Sequence, residues 1–149
     1  MDSEVTLPGF RHQCAVRVRW GDEDALGHVN NAKFLTYMEE GRIQYVNDLK
    51  LWAGDRSRLG MILARIEVDF RLPLFAGDEL YVFTRATHFG RSSFKIDQWI
   101  TRHKDNQLEI AAQGVLTIVV YDYELGKSAP IPDEWRAIIK AYEIAPPQE

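Results

Sequence analysis

The spacing of hydrophobic and polar residues changes once along the chain, and the change separates a long helix from a series of strands. Between Asn31 and about Leu49, apolar residues recur at the spacing of three and four that is typical of an amphipathic helix. These helical positions are Phe34, Leu35, Met38, Tyr45, Val46 and Leu49. From Met61 the apolar residues alternate with polar ones, which is typical of strands with one buried face.

One strand is expected before the long helix and four after it. The predicted strands are Gln13–Trp20, Ile62–Arg71 (before Pro73), Glu79–His88, Ser93–His103 and Glu109–Tyr121. Turn-forming residues separate them, including a loop over Asp55–Gly60, and Pro132 opens a short last helix, Trp135–Tyr142. Long strands with tight connections favour one antiparallel sheet curled around the long helix, an α+β architecture.

Gly41 lies inside the predicted long helix. Glycine at such a position destabilises a helix by about 1 kcal/mol relative to alanine. We expect the missing side chain to permit close approach of another backbone, as happens where a sheet wraps tightly around a helix.

Length and composition favour one globular domain covering residues 1–149, with loose ends at residues 1–8 and 145–149. Of the residues, 46% are hydrophobic and 27% are charged, which is ordinary for a soluble protein. The net charge of −4 gives no broad basic field, so nucleic-acid binding is not expected. The single cysteine, Cys14, cannot form an intramolecular disulfide and is predicted to be a small buried residue. No stretch is apolar enough for a signal sequence or a membrane span, which predicts a cytoplasmic protein.

The segment with the most chemical information is RWGDEDALGHVNNAKF, from Arg19 to Phe34. Asp22 and Asp24 fall in a loop between the first predicted strand and the long helix, and Asn30 is a suitable N-cap. A helix N-terminus carries free N–H groups and favours negative charge. The pattern therefore places carboxylates beside a ready-made oxyanion site.

The string D-E-D-A-L-G-H-V-N-N-A-K-F resembles the signature of hotdog-fold thioesterases of the 4-hydroxybenzoyl-CoA thioesterase type. It is also similar to the H-V-N-N-x-K-Y element of plant acyl-ACP thioesterases. The resemblance implies a hotdog fold and hydrolysis of an acyl-CoA, or of an acyl-ACP, without a cofactor or metal. It also implies a homodimer or tetramer with each active site at a protomer boundary.

In the family that this string resembles, the second aspartate is the catalytic carboxylate, and it corresponds to Asp24. Asp22 is then a supporting residue that hydrogen-bonds within the loop. A thiol with a pKa of about 8.5 leaves a thioester readily as the thiolate, so no strong general acid is needed at neutral pH. The reaction needs an activated water or a carboxylate nucleophile, and stabilisation of the oxyanion. The backbone N–H of Asn31 is the best candidate for the second role.

Three further residues of the motif have supporting roles. The resemblance to the plant enzymes gives His28 a catalytic role, but Leu26 replaces an asparagine of their network, so we place His28 in a second tier. Asn30 is predicted to cap the helix rather than to catalyse, and Gly27 to shape the loop.

The sequence Gly90-Arg91-Ser92-Ser93 lies between two predicted strands and has two interpretations. It is either an ordinary hairpin turn with an exposed arginine, or a clamp for a phosphate of CoA. The clamp is suggested by its similarity to the turn of the family that contacts CoA, and we leave both interpretations open.

Other polar residues are given structural interpretations. Glu39 and Glu40 are expected on a solvated helix face, although some hotdog thioesterases use a helix carboxylate. A charged strand face is predicted to be exposed or to lie at a subunit interface, and the remaining histidines have no metal-ligand spacing. These residues are Arg65, Glu67, Asp69 and Arg71, and His12, His88 and His103.

Three rival functions remain beside the acyl-CoA thioesterase. A hotdog hydratase usually shows a longer spacing between aspartate and histidine than Asp24 and His28 have. A noncatalytic module that binds acyl thioesters is disfavoured by the intact Asp24. A ligand-sensing transcription regulator would need a DNA-binding segment, for which the short predicted arm leaves no room. The acyl group itself is left open by the sequence.

Overall fold

The computed structural model describes residues 5–52 and 58–149, which form an antiparallel sheet with a long helix packed against it. Its elements are β1 (His12–Arg17), a 3-10 turn (Trp20–Asp22), α1 (Asn31–Asp48), β2 (Leu59–Phe70), β3 (Glu79–Phe89), β4 (Ser93–Lys104), β5 (Gln107–Asp122), β6 (Lys127–Ser128) and α2 (Asp133–Tyr142). The strand order is β1-β3-β4-β5-β2, with the short β6 paired to β5, and every pair is antiparallel. This is the predicted hotdog arrangement.

Helix α1 begins where the sequence predicts, because Asn30 caps it. The Asn30 Oδ1 accepts a hydrogen bond from the Ala32 N–H at 2.8 Å. One face of the helix is buried against the sheet: Phe34, Tyr37, Met38, Gly41, Tyr45 and Val46. Full burial of each large apolar side chain stabilises the fold by about 1.5–3 kcal/mol, so this face fixes the helix on the sheet.

Gly41 is the point of closest approach between α1 and the sheet. A Cβ atom at this position would lie 2.5 Å from Val82 Cγ1 and 3.2 Å from Gln98 Nε2. Gln98 is fully buried and donates from Nε2 to the Met38 carbonyl at 2.9 Å, which ties β4 to the helix. The sheet therefore approaches the helix closely at this glycine, as predicted, but the nearest atoms are side-chain atoms of Val82 and Gln98 and not a backbone.

The hydrophobic core has two clusters, one around each half of α1. The first half of α1 packs with Phe34, Tyr37 and Met38 against residues that include Leu80 and Ile100. The second half packs against the far ends of the strands and against α2. The buried members of this second cluster include Tyr45, Val46, Leu49, Phe89, Phe94, Ile118, Trp135 and Ile139.

Several predicted boundaries are wrong by a few residues. The first strand ends at Arg17 and not at Trp20, because Trp20 is 90% exposed and the chain turns there. Strand β2 begins at Leu59, inside the predicted loop over Asp55–Gly60; the part of that loop at 53–57 lies outside the described residues. Helix α2 begins at Asp133 rather than Trp135.

The C-terminal residues, predicted to be loose, are hydrogen-bonded to the sheet. The Gln148 N–H donates to the Thr87 carbonyl at 2.9 Å, and the Phe89 N–H donates to the Gln148 carbonyl at 2.7 Å. The Glu149 carboxylate lies 2.6 Å from Lys140 Nζ on α2. Residues 5–8 of the predicted N-terminal arm are described, and Leu7 forms an isolated bridge with Phe10.

A cluster of titratable side chains lies at the far end of α1, where α2 ends. The Tyr45 hydroxyl donates to Glu143 Oε1 at 3.2 Å, and both side chains are buried. Burial raises the pKa of the Glu143 carboxyl to about 7, although hydrogen bonds from Tyr45 and the Ala86 backbone oppose the rise. His12 also belongs here, buried with its Nε2 at 2.8 Å from Asp48 Oδ2.

Two simpler expectations have different outcomes. Cys14 is only half-buried, and burial followed by the charges of Glu40 and Asp48 raises the pKa of its thiol. The charged face of β2 is exposed, with an ion pair between Arg65 and Glu67 at 2.5 Å.

Within residues 5–52 and 58–149, no helix combines the length and apolarity needed to cross a bilayer.

Candidate active site

The loop between β1 and α1 is held in one shape by its own backbone. The Asp24 N–H donates to the His28 carbonyl at 3.0 Å, and the Gly27 N–H donates back to the Asp24 carbonyl at 3.0 Å. Gly27 has a φ of +85°, which a residue with a side chain rarely adopts. The Val29 N–H donates to the Leu74 carbonyl at 2.8 Å and anchors the loop to the chain before β3. The loop therefore presents a defined surface at the start of α1.

The Asp24 carboxylate is oriented by both of its oxygens. Oδ1 accepts from the Leu26 N–H at 2.8 Å, and Oδ2 accepts from Asn30 Nδ2 at 3.2 Å. The same Asn30 side chain caps α1 through its Oδ1. One amide thus links the carboxylate to the helix N-terminus, so the two cannot move independently without breaking the cap.

Asn31 is the first residue of α1, and its N–H belongs to the group that no helical carbonyl can satisfy. No acceptor for it is found in the part of the chain that the structure describes, whereas the next N–H, of Ala32, is taken by the cap. The positive end of the helix dipole adds to this donor. An anionic oxygen of a substrate could therefore accept a hydrogen bond from the Asn31 N–H without displacing an acceptor of the protein.

Asp22 lies beside Asp24 in sequence but is bonded differently. Its Oδ2 accepts from the Tyr37 hydroxyl at 2.6 Å and from the Arg19 N–H at 3.0 Å, and Lys33 Nζ lies 3.9 Å from Oδ1. Desolvation raises the pKa of the Asp22 carboxyl, but these donors and charges outweigh it and hold that pKa below its usual value. Asp22 therefore stays ionised and holds the loop against α1.

Tyr37 was missed by the sequence reasoning, although it lies on the buried face of α1 between Phe34 and Met38. A phenol on an otherwise apolar helix face needs a hydrogen-bond partner, and an acidic loop directly before the helix offers one. Desolvation, followed by its hydrogen bond to Asp22, raises the pKa of the Tyr37 hydroxyl, so Tyr37 acts as a donor at neutral pH.

His28 is half-buried at the base of the loop. Its Nδ1 lies 3.3 Å from the carbonyl of Val29, while its own carbonyl accepts from the Asp24 N–H. The backbone of His28 thus supports Asp24 directly.

The structure does not bring Arg91, Ser92 and Ser93 near Asp24 within one protomer. They form the turn between β3 and β4, whereas the Asp24 loop contacts the opposite end of β3. The length of β3 separates the two places by about 35 Å along the strand. Arg91 is exposed, and its carbonyl accepts from the Ile131 N–H, which fixes the turn beside α2.

Of the remaining candidate side chains, Glu40 lies near the loop, because it lines the same open cavity as Asp22 and Tyr37. Glu39 and Glu40 are exposed on α1, as the solvated interpretation predicts. Across residues 5–52 and 58–149, no group of three or more histidine, cysteine or acidic side chains is arranged to hold a metal ion.

Comparison with known proteins shows to which family the chain belongs. The model of the thioesterase-like superfamily matches residues 18–139, a range that contains the whole loop and α1. Among curated relatives, the 1,4-dihydroxy-2-naphthoyl-CoA hydrolase of Synechococcus elongatus is 25% identical over 78% of this chain and 85% of its own length. The long-chain acyl-CoA thioesterase FadM of Escherichia coli is 25% identical over 83% of this chain and 93% of its own.

A solved structure gives the same result. A thioesterase of Thermus thermophilus, crystallised with coenzyme A and Zn, is 39% identical, with a TM-score of 0.78 over 92% of this chain and 98% of that one. The family model covers most of the 149 residues. The protein therefore belongs to the thioesterase-like superfamily.

Proposed function

We propose that the protein is an acyl-CoA thioesterase that hydrolyses an acyl-CoA to the free acid and CoA at the Asp24 loop. The observation that carries the proposal is the Asn30 side chain, which bonds to the Asp24 carboxylate and caps α1 at the same time. Membership of the superfamily supports the reaction class. The relatives named as CoA thioester hydrolases support the substrate class.

In the proposed reaction, the thioester carbonyl oxygen accepts a hydrogen bond from the Asn31 N–H. Asp24 removes a proton from a water molecule as the water oxygen bonds to the carbonyl carbon. The resulting oxyanion is stabilised by the Asn31 N–H and the helix dipole. When it collapses, the C–S bond breaks and the thiolate of CoA leaves with the bonding electron pair.

A covalent route uses the same residues. Asp24 would then attack the carbonyl carbon itself, the thiolate would leave, and water would hydrolyse the mixed anhydride. A single turnover in ¹⁸O-labelled water tests for the covalent route. Label in the Asp24 carboxylate would indicate an anhydride that water attacks at the Asp24 carbon, whereas label in the acid alone is expected both from the general-base route and from attack of water on the acyl carbon of the anhydride.

The direct test measures thiol release from short, medium, long and aromatic acyl-CoAs, with matched acyl-ACPs in parallel. Release that disappears in Asp24→Asn but persists in Glu23→Gln supports the proposal. Glu23 is a suitable control because it is the neighbouring carboxylate in the same loop. Binding of acyl-CoA without turnover by the wild-type protein would instead favour a noncatalytic module, and preference for acyl-ACP would change the substrate assignment.

We further propose a cytoplasmic homodimer or dimer of dimers, in which Arg91, Ser92 and Ser93 bind a CoA phosphate. Strand β2 is an edge of the sheet order, and Leu63 and Phe70 on it are more than one-third exposed. Antiparallel pairing of two β2 edges about a two-fold axis would bring the partner's turn to the end of this protomer that holds Asp24. Because the turn and the Asp24 loop lie at opposite ends of β3 within one protomer, the proposed phosphate clamp would serve the partner's Asp24 across such a boundary.

Subunit complementation tests this arrangement. Arg91→Ala and Asp24→Asn are each assayed alone and after co-expression, at a substrate concentration below KM. Mixed dimers would contain one site with neither change, so activity should exceed the average of the two separate variants. No gain on mixing, or full activity of a 17.2 kDa monomer by light scattering, would contradict the proposal.

A further inference from the structure

The connection between β2 and β3, residues 71–78, passes β5 and β4 on its way to the candidate active-site loop. In the sheet order β1-β3-β4-β5-β2, the two strands that it joins are separated by β4 and β5. At its start, the Arg71 N–H donates to the Ala111 carbonyl of β5 at 2.8 Å. At its end, the Asp78 carbonyl accepts from the Val18 N–H at 3.1 Å. The connection is therefore tied to the sheet at both ends.

Arg102 of β4 holds the middle of this connection. Its side chain is 11% exposed, and its Nη1 donates to the Pro73 carbonyl at 3.3 Å and lies 3.6 Å from Asp78 Oδ2. Its Nε and Nη2 donate to Glu109 Oε1 on β5, at 3.3 Å and 3.1 Å. Asp78 Oδ2 also accepts from the Phe75 N–H at 2.9 Å, which closes the turn before β3. One guanidinium thus joins β4, β5 and the connection, a task that requires the planar fork of an arginine.

A single peptide unit links this connection to Asp24. Leu74, the residue after Pro73, is fully buried, and its carbonyl accepts from the Val29 N–H at 2.8 Å. The carbonyl of the same peptide unit belongs to His28 and accepts from the Asp24 N–H at 3.0 Å. Because a peptide unit is planar and rigid, a displacement of Leu74 tilts this unit and moves Asp24.

Resting on the function proposed above, we propose that Arg102 is a positioning residue for the Asp24 carboxylate. It acts through the connection at residues 71–78 and through the peptide unit between His28 and Val29. A misplacement of a catalytic group by about 1 Å can lower a rate by about 100-fold, even when the change that causes it is far from the chemistry. Replacement of Arg102 should therefore lower kcat while KM stays nearly the same.

The kinetic test compares two arginines that each pair with a carboxylate on the next strand. Arg102 pairs with Glu109, and Arg85 pairs with Asp97 at 2.9 Å near the middle of β3 and β4. Arg102→Lys keeps the charge but cannot donate to Glu109 and Pro73 together, so kcat should fall by about tenfold with KM within about twofold. Arg85→Lys, the matched control, should leave both constants within about twofold.

Amide hydrogen exchange tests the positioning without the reaction. In Arg102→Lys, the N–H groups of Val29 and Asp24 should exchange at least about tenfold faster than in wild type, because local opening of the loop becomes easier. The Val120 N–H, which donates to the Ser92 carbonyl at 2.8 Å near the other end of β5, should change by no more than about twofold. If this pattern holds in a protein that hydrolyses no acyl-CoA, the proposed function fails and the positioning by Arg102 stands.

Unchanged exchange at the two loop amides would overturn the inference and leave the proposed function intact, as would equal losses of kcat in Arg102→Lys and Arg85→Lys. Glu109→Gln provides a second test if Arg102→Lys does not fold, because the Glu109 side chain is partly exposed and an amide oxygen can still accept. It should lower kcat by about threefold and speed exchange at the same two amides, since a neutral acceptor binds the guanidinium less strongly. Native kcat and native exchange in Glu109→Gln would also overturn the inference.

Discussion

At the start of α1, Asp22 lies in a loop and receives hydrogen bonds from Tyr37 and the Arg19 backbone; at the far end, Glu143 is buried beside Tyr45. The donors around Asp22 hold the pKa of its carboxyl below the usual value, whereas burial raises the pKa of the Glu143 carboxyl to about 7. The two carboxyls therefore differ in charge at neutral pH. Donors and nearby cations, and not burial alone, decide which carboxylate remains an anion.

The two ends of α1 also differ in their exposure to solvent. The start of α1 offers a free N–H and a loop open to solvent, which suits a reaction that consumes water. The far end is enclosed by apolar residues of α2 and the strands, and the Glu143 carboxyl is buried among them.

The largest expected effect is at Asp24. Asp24→Asn keeps the size and hydrogen-bonding capacity of the side chain but removes its charge and basicity. We expect kcat to fall by at least about 100-fold, as for loss of a general base, with substrate binding retained. Steady-state and single-turnover thiol release measure this. A native rate in Asp24→Asn, with loss of turnover in His28→Ala or Glu40→Gln, would place the chemistry on other residues.

The next effect concerns the support of the loop. Tyr37→Phe removes the donor to Asp22 and should lower the free energy of unfolding by about 1.5 kcal/mol, as for a hydrogen bond to a charged group. The pKa of Asp22 is lower in the folded protein than in the unfolded chain. Asp22 therefore stabilises the fold fully above its pKa in the unfolded chain, and this stabilisation is lost as the pH falls through its pKa in the folded protein. The variant should therefore lose stability at a higher pH than wild type on acid titration.

Activity gives a second measurement at this position. Asp22→Asn should reduce kcat less than Asp24→Asn does, because Asp22 is bonded to the scaffold and not positioned at the helix N-terminus. Urea denaturation and thiol release on the same samples test both statements. An Asp22→Asn variant that is less active than Asp24→Asn would reverse the two roles.

A smaller effect on activity is expected at Arg91, in the turn between β3 and β4. Arg91→Ala should raise KM for acyl-CoA by about tenfold with little change in kcat, because a phosphate contact is equal in the ground and transition states. The loss should shrink at high salt. Acyl-pantetheine substrates, which lack the nucleotide phosphates, should be unaffected. An unchanged KM for acyl-CoA would indicate that Arg91 is an exposed turn residue that does not bind a CoA phosphate.

The smallest expected effect is on stability at the buried carboxyl. The pKa of Glu143 is raised in the folded protein to about 7, from about 4.5 in the unfolded chain. The stabilisation of the fold by the neutral Glu143 carboxyl is therefore complete below a pH of about 4.5 and is lost as the pH rises through about 7. Glu143→Gln removes this loss. The melting temperature of Glu143→Gln relative to wild type should rise by about 3 °C between pH 5 and pH 8. A constant difference across that range would indicate that Glu143 is ionised at pH 5.

The features that the sequence predicts well are local ones. The period of apolar residues predicts α1, and the capping preference of Asn30 predicts its first turn, because both depend on residues within a few positions of each other. The hotdog fold and the thioesterase family follow from the long strands and the D-E-D-A-L-G-H-V-N-N string. The end of the first strand at Arg17 was missed, because pairing with β3, not alternation, decides where a strand stops.

By itself, the sequence determined the helix, the alternating strands and the acidic loop at the helix N-terminus, since these depend on local spacing and backbone chemistry. The tertiary structure alone decided that Tyr37 supports Asp22, that Arg91 lies a strand's length away from Asp24, and that Glu143 is buried with a raised pKa. It also decided that an apolar cavity forms between the second half of α1 and strands β2, β4 and β5. These features join residues far apart in the chain, and their contacts, burial and charge depend on how the sheet curves around the helix.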